Sequence, residues 1–269
     1  MAYKIKVWCF LLVLLKLESI LQNCANAAPQ VPCFYIFGDS LADIGNNKHL
    51  VTTAKANYRP YGIDFPNGTT GRSTNGRTTV DIIDELLGFD QFIPPFATAR
   101  SRDILVGVNY ASWAAGIRDE SGRQMGDRII LNEQLQNHAA TFNRLIQLLG
   151  TKRAAAKYLN KCLYYVSLGT NDYINNYFAH AFVPLQSQEN CLAWTYTIRQ
   201  HSLRIFYSIP QQSLLFGNIN NAVLPFNAGL FSLVHRLNKE LNNARFIYLN
   251  ISGMSSSDPS VPGKSSTMW

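Results

Sequence analysis

The chain has 269 residues, of which 47% are apolar and 12% aromatic, and its formal net charge is +7. This composition excludes a globally disordered protein, and the length suits a single α/β domain. The basic residues are scattered, without a run of five like charges or a nucleic-acid-binding motif. The charge therefore predicts a solvated basic surface and no nucleic-acid partner.

Residues 1–27 have the layout of a secretory signal peptide. Two lysines precede an apolar stretch over residues 7–15, and residues 25–27 read Ala-Asn-Ala, a small-x-small cleavage signature. The apolar stretch is too short to span a bilayer, and Lys16 interrupts it. We therefore expect a secreted protein that has no stable membrane insertion after the signal is removed.

Three cysteines remain beyond the predicted signal: Cys33, Cys162 and Cys191. An odd number in an oxidising compartment allows at most one intrachain disulfide, and the sequence leaves the pairing open. Asn67 and Asn250 begin Asn-x-Ser/Thr sequons, which makes them candidate glycosylation sites.

Strand-like and helix-like patterns alternate along the chain. Short apolar runs predict strands over residues 34–37, 104–110, 163–167, 214–216 and 246–249. Patterns with a helical period predict helices over residues 79–87, 129–149, 152–158, 193–207 and 221–242. Gly150 is expected to end the second of these helices, Thr151 to cap the third, and Pro225 to lie near the first turn of the last.

This alternation predicts an α/β fold with a mainly parallel sheet of about five strands, covered by helices on both faces. Residues 28–252 are expected to form one domain. The Ser/Pro/Gly-rich residues 253–269 show no core pattern and are predicted to be a disordered tail.

Three predicted strands are followed by chemically useful residues: Ser40, Gly116 and Asn171. The carboxyl ends of parallel strands share one sheet edge, so these residues can converge on one crevice. A serine hydroxyl can attack an acyl carbonyl, and backbone N–H groups with an amide side chain can bind the resulting oxyanion. The combination predicts acyl transfer by a Ser40 nucleophile.

Each of these residues also has a structural interpretation. Ser40 lies in a Gly-Asp-Ser turn and is a possible helix cap, Gly116 suits any turn, and Asn171 together with Asp172 suits a helix cap. The carboxylate of Asp39 is expected to bind backbone around the serine turn rather than to transfer protons. No metal-binding His/Cys cluster or phosphate-binding glycine loop occurs, so no cofactor or metal is predicted.

Residues 37–47, which contain Gly-Asp-Ser-Leu, resemble the first sequence block of plant-type GDSL esterase/lipases of the SGNH hydrolase superfamily. Residues 109–117 resemble the second block of that family, residues 167–173 the third, and the loop over residues 71–77 also matches. The resemblance implies a flavodoxin-like three-layer α/β/α fold and hydrolysis of a small ester or lipid. It also implies that Ser40 is the nucleophile and an oxyanion donor, with Gly116 and Asn171 as the other donors.

The sequence departs from the family pattern at the base. The family carries a C-terminal Asp-x-x-His that supplies the catalytic base and its partner, and this motif does not occur here. We expect the histidines at 138 and 235 to be packing or surface residues, and none of the remaining three is assigned as the base. The histidines are His49, His138, His180, His201 and His235.

Two functions therefore compete. One is a secreted serine esterase whose activity is weak or absent in this polypeptide, because a serine without a base stays protonated. The alternative is a truncated, catalytically inactive GDSL protein that acts as a secreted acyl- or glycan-binding protein. The sequence leaves the acyl chain, the alcohol portion and the oligomeric state open.

Overall fold

The computed structural model describes residues 28–177, 204–207 and 217–251. Several predicted features lie outside these residues: the signal peptide, the strand over residues 214–216, the tail over residues 253–269, and Cys191, His180 and His201. Within the described part, no helix is long and apolar enough to cross a membrane.

The described residues form one five-stranded sheet in which every neighbouring pair is parallel. The strands are β1 (Phe34–Gly38), β2 (Gly107–Asn109), β3 (Leu163–Ser167), β4 (Arg204–Tyr207) and β5 (Phe246–Leu249). Their order across the sheet is β2-β1-β3-β4-β5. This is the flavodoxin-like order, whose winding direction reverses between β1 and β3, and open α/β sheets bind ligands at that point. The predicted fold class is confirmed.

Within the described residues, five α-helices accompany the sheet: α1 (Thr79–Leu86), α2 (Asp103–Val106), α3 (Leu131–Leu149), α4 (Lys152–Leu159) and α5 (Gly217–Glu240). As predicted, α3 ends at Gly150, which has a left-handed φ of 84°. The side chain of Thr151 accepts a hydrogen bond from the Ala154 N–H and caps α4, also as predicted.

The side chains of β1 alternate between two apolar cores. Tyr35 and Phe37 belong to a core that also contains Leu145 of α3, Leu159 of α4 and Leu237 of α5. Phe34 and Ile36 face the opposite core, where Val80 of α1 packs. Because a strand points successive side chains to opposite faces, β1 is buried on both sides and lies inside a three-layer fold.

The predicted strand over residues 104–110 is wrong in its first half. Residues 103–106 form the helical turn α2, and β2 begins only at Gly107. A short apolar run suits a buried helical turn as well as a strand, so its pattern did not separate the two. Gly107 has a φ of 144°, and a Cβ there would lie 2.0 Å from the Phe34 carbonyl oxygen. Glycine therefore lets the start of β2 approach β1.

The predicted helix over residues 193–207 is also wrong where it can be compared, because residues 204–207 form β4. The last helix, α5, begins at Gly217 rather than at residue 221. Pro225 consequently lies inside the helix and not in its first turn. Proline has no N–H, so α5 lacks one helical hydrogen bond at this position.

Cys33 and Cys162 form a disulfide with a Cα–Cα distance of 4.7 Å. These residues directly precede β1 and β3, so the bond joins the amino ends of two paired strands. Both candidate glycosylation sites, Asn67 and Asn250, lie on the exposed surface.

Candidate active site

The three predicted site residues all follow carboxyl ends of neighbouring strands. Ser40 follows β1, Gly116 follows β2 and Asn171 follows β3. The strand ends are tied in register: Gly38 is the partner of Ser167 in the sheet, and its carbonyl accepts a hydrogen bond from the Ser112 N–H at 3.1 Å. The topology therefore brings the segments that follow these three strands, here called the strand exits, to one edge of the sheet.

Ser40 lies half-buried in a turn built by Asp39. The Asp39 carbonyl accepts hydrogen bonds from the N–H groups of Ala42 and Asp43, at 3.1 and 2.9 Å. The Asp39 carboxylate accepts the Leu41 N–H at 3.0 Å, which confirms that it binds backbone around the turn. The next helical turn starts only at Asn46, so Ser40 is not a helix cap.

The pKa of the Asp39 carboxyl is raised to about 7, chiefly by burial; the Leu41 N–H lowers this pKa and the nearby carboxylate of Asp172 raises it. Asp39 is only 1% exposed, so little water solvates its charge. The carboxyl is directed at backbone donors, and its raised pKa is accounted for by this buried position.

The loop before α1 packs on the Ser40 turn. The Ser73 hydroxyl donates a hydrogen bond to the Ser40 carbonyl. A Cβ at Gly71 would lie 2.5 Å from the Cα of Gly45, so the two backbones are in direct contact. Arg72 is buried between these contacts and pairs with Asp81 of α1 at 2.7 Å. The predicted solvated basic surface therefore does not include Arg72.

The exits of β2 and β3 touch one another. The Asn171 side-chain amide donates to the Ala115 carbonyl at 2.9 Å, and its oxygen accepts from Asn175 at 2.7 Å. A Cβ at Gly116 would lie only 2.5 Å from a carboxylate oxygen of Asp172. Residues 115–116 are therefore packed directly against residues 171–172, and only glycine fits at position 116.

Buried amides join the exits of β1 and β2. Asn46 donates to the carbonyls of Asn109 and Ala111 at 2.9 and 2.8 Å, and Asn109 donates to the Ala42 carbonyl at 2.7 Å. Asn46 also accepts the Ala97 N–H at 3.1 Å. Both asparagines are buried, so these bonds satisfy backbone groups that water cannot reach.

A second set of polar side chains connects this edge to α3. Gln134 accepts the Gly38 N–H at 3.1 Å and donates to the Gly38 carbonyl at 3.0 Å. Ser112 donates to the Asn47 side-chain oxygen at 2.5 Å and accepts the Ile129 N–H at 2.9 Å. Sequence reasoning missed Asn46, Asn109, Ser112 and Gln134. Their polar character within otherwise apolar or strand-ending stretches was the available signal.

Two backbone donors at this edge remain unused within the described residues. Neither the Ser40 N–H nor the Gly116 N–H donates a hydrogen bond to another described residue. Gly116 is itself buried. Buried backbone N–H groups are almost always bonded, so a donor left open at such a place is a feature to explain.

The described histidines make no hydrogen bond to Ser40. His138 packs edge-on against the rings of Tyr35 and Tyr110, and its Nδ1 lies 3.3 Å from the Tyr110 hydroxyl. His49 and His235 are exposed. Within the described part of the chain, no histidine is hydrogen-bonded to Ser40, and no group of His, Cys, Asp or Glu could hold a metal ion.

Comparison with known proteins agrees with this arrangement. A profile of the family described as GDSL-like Lipase/Acylhydrolase matches residues 34–269. GDSL esterase/lipase At4g18970 of Arabidopsis thaliana is 44% identical over 266 residues, which cover 88% of this chain and 73% of the relative. GDSL esterase/lipase At1g29670 of the same plant is 45% identical over 274 residues, which cover 92% of this chain and 75% of the relative. The chain belongs to the GDSL lipase/acylhydrolase family.

Proposed function

We propose that this protein is a secreted serine hydrolase that cleaves carboxylic esters of small-molecule or lipid type through an acyl-Ser40 intermediate. One observation carries the proposal: the N–H groups of Ser40 and Gly116 are unbonded within the described residues, while the Asn171 amide binds the residue next to Gly116. Hydrogen-bond donors preplaced where negative charge develops are the main requirement of acyl transfer.

The proposed reaction has two halves. The Ser40 oxygen bonds to the ester carbonyl carbon as its proton leaves, and the resulting oxyanion accepts hydrogen bonds from the Ser40 N–H, the Gly116 N–H and the second N–H of the Asn171 amide. The carbonyl re-forms as the alcohol departs with a proton. Water then attacks the acyl-Ser40 ester, and the acid leaves as the serine hydroxyl is restored.

Proton removal from the Ser40 hydroxyl is the step expected to limit the rate of this reaction. The sequence contains no Asp-x-x-His, none of the described histidines is bonded to Ser40, and the Asp39 carboxylate binds the Leu41 N–H. A serine without a base is a weak nucleophile, whereas an oxyanion hole alone still gives residual catalysis. We therefore expect slow turnover by the 269-residue polypeptide.

Secretion is supported by the signal-like residues 1–27 and by the Cys33–Cys162 disulfide. Disulfides persist in oxidising compartments and are rare in the cytosol. The exposed positions of Asn67 and Asn250 are compatible with glycosylation there. A shift in mass of the exported protein on deglycosylation would test this part.

The test of the activity compares the purified chain with Ser40→Ala on a short-chain 4-nitrophenyl ester. Ser232→Ala is the matched control, because Ser232 is an exposed serine on α5. We expect Ser40→Ala to lose turnover and Ser232→Ala to keep it. Equal rates for the parent chain and Ser40→Ala would remove Ser40 from the mechanism.

The second candidate function is binding of an acyl or glycan group without hydrolysis, and the absence of Asp-x-x-His favours it. Calorimetric titration with a non-hydrolysable ether analogue of the ester separates the two. Binding that Ser40→Ala retains, together with no Ser40-dependent turnover, would support the binding protein and exclude the esterase.

A further inference from the structure

We propose that Asp172 is a positioning residue for the reaction, because its carboxylate holds the turn over residues 115–118 so that the Gly116 N–H is presented beside the Asn171 amide. The inference rests on the proposed function and adds a residue that does not itself touch the substrate. Its basis is the set of contacts that surround the Asp172 carboxylate.

Three donors from the β2 exit converge on this carboxylate. The N–H groups of Ile117 and Arg118 donate to its two oxygens at 2.8 and 2.9 Å, and the Ser121 hydroxyl donates at 2.6 Å. Consecutive backbone N–H groups aimed at one carboxylate fix the orientation of the peptide units that carry them. The peptide unit that carries the Gly116 N–H directly precedes the one that carries the Ile117 N–H.

Gly116 lies directly against the same group. A Cβ at this position would be 2.5 Å from Asp172 Oδ2 and 2.4 Å from the Cβ of Ser121. The turn therefore has no side chain between its backbone and the carboxylate. A shift of the carboxylate is transmitted to the Gly116 backbone without an intervening flexible group.

The turn is held on both sides of Gly116 by two adjacent residues. Asn171 binds the carbonyl of Ala115, and Asp172 binds the N–H groups of Ile117 and Arg118. The open Gly116 N–H lies between these anchors. Asn171 and Asp172 thus hold the backbone on opposite sides of the Gly116 N–H.

A buried carboxylate is a costly way to hold a loop. Asp172 is 7% exposed and Ser121 is fully buried, and burial raises the pKa of Asp172 against the lowering effect of its donors. An amide oxygen could accept at most two of these bonds, and its NH₂ group would then face the third donor. Rigid positioning of the Gly116 N–H is a role that would explain why a carboxylate is buried here.

The test measures how fast Ser40 is phosphonylated by a fluorophosphonate, a reaction in which the Ser40 oxygen bonds to phosphorus and fluoride leaves. Its phosphoryl oxygen takes the place of the ester oxyanion. We expect Asp172→Asn to slow labelling by about 10- to 100-fold, since loss of a whole oxyanion donor costs about 100- to 1,000-fold. Ser121→Ala should slow it less, and Asp90→Asn, at an exposed aspartate, should leave it unchanged.

A double-mutant cycle separates positioning from general support of the fold. Asn171 and Asp172 hold the same turn from its two sides, so Asp172→Asn should cost less than about 3-fold when Asn171→Ala has already released that turn. Independent, multiplicative losses would overturn the inference, as would labelling of Asp172→Asn at the parental rate. For esters that are turned over, kcat should fall while KM stays constant.

Hydrogen exchange of the Ile117 and Arg118 amides tests the geometry without any reaction. Exchange at these two amides should be faster in Asp172→Asn than in the parent chain, while exchange in β1 and β3 stays unchanged. Unchanged exchange at both amides would overturn the inference. Absence of Ser40-dependent labelling in the parent chain would instead overturn the proposed function, and the exchange result would still decide whether Asp172 holds the turn.

Discussion

The two ends of the parallel sheet are closed by different chemistry. At the amino end, the Cys33–Cys162 disulfide joins the residues before β1 and β3, and Gly107 lets the backbone of β2 approach β1. At the carboxyl end, buried side chains such as Asn46 and Gln134 bind backbone groups beyond the strand ladder. The amino end is held by covalent and close backbone contact, whereas the carboxyl end depends on polar side chains.

This difference supports the proposal that the carboxyl end carries the chemistry. A buried polar group without a partner costs about 1–3 kcal/mol. Each buried backbone N–H and C=O group that follows a strand therefore needs a hydrogen-bond partner of its own. The N–H groups of Ser40 and Gly116 are among the donors at this edge that no described residue accepts. The following predictions test whether the two ends contribute separately to stability and to reactivity.

The largest effect is expected for Arg72→Leu. Arg72 forms a two-point ion pair with Asp81 at 2.8 and 2.7 Å and lies over the ring of Phe65, and both charged side chains are buried. Removing Arg72 leaves the buried charge of Asp81 without a partner, so the free energy of unfolding should fall by about 3–5 kcal/mol. Urea denaturation measures it. The exposed pair of Arg77 and Glu85 offers the control: Arg77→Leu should cost less than about 1 kcal/mol.

The next effect concerns the amino end. The disulfide closes a loop between residues 129 positions apart, so replacing Cys33 and Cys162 by Ala should lower the unfolding free energy by about 2–5 kcal/mol. The parent chain in dithiothreitol should behave like this double variant. The folded variant should keep its rate of Ser40 phosphonylation, and a large loss of that rate would show that the two ends are coupled.

A smaller loss is expected for Asn46→Ala at the carboxyl end. The change leaves the buried carbonyls of Asn109 and Ala111 without the donor that binds them here, which should cost about 2–3 kcal/mol. Asn132→Ala on the exposed face of α3 is the control and should change stability by less than about 0.5 kcal/mol. Equal losses for the two variants would refute the importance of this polar network.

For a single side chain, the smallest effect is expected in the dependence of stability on pH. Burial raises the pKa of Asp39 and of Asp84 to about 7 and that of Asp43 to about 6, from 3.8. The folded state therefore keeps protons that the unfolded chain has released, so the unfolding free energy should be highest near pH 4 and fall as the pH rises through 6 and 7.

Asp84→Asn isolates one part of this fall. One Asp84 oxygen accepts the Ile93 N–H at 2.8 Å, and the other has no hydrogen-bond partner among the described residues. A neutral amide should remove about 2 kcal/mol of the fall between pH 5 and pH 7.5, because about 1.4 kcal/mol accompanies each unit of pKa difference and up to two such units lie in this window. Denaturation at pH 5 and pH 7.5 measures it, and parallel pH profiles for the two proteins would contradict the assignment.

Local signals in the sequence predicted β1, β3, α3 and α4 well. Their apolar patterns are long or strongly periodic, and Gly150 and Thr151 mark adjoining helix ends. The short apolar run behind α2 did not distinguish helix from strand, because four residues contain too little of either period. Residues 204–207 were assigned to the end of the predicted helix over residues 193–207, but they form β4.

The placement of the three candidate site residues at one sheet edge was predicted because each follows a strand, whereas the contacts that support them were not. Asn46 binds residues more than 60 positions away, and Gln134 binds Gly38 across 96 positions. Asp172 was considered only as a possible part of a helix cap, but it binds residues 117, 118 and 121. Such contacts arise from the tertiary fold and leave no local pattern.

The position of β1 inside the sheet has a consequence for biosynthesis. This strand is the first to emerge, yet one of its neighbours follows about 70 residues later and the other about 125 residues later. At about 5–20 residues per second, the second wait lasts roughly 6–25 seconds. A nascent segment of five buried residues, including two phenylalanines and a tyrosine, keeps at least one edge unpaired during that interval, which makes it a target for chaperones that shield apolar peptides.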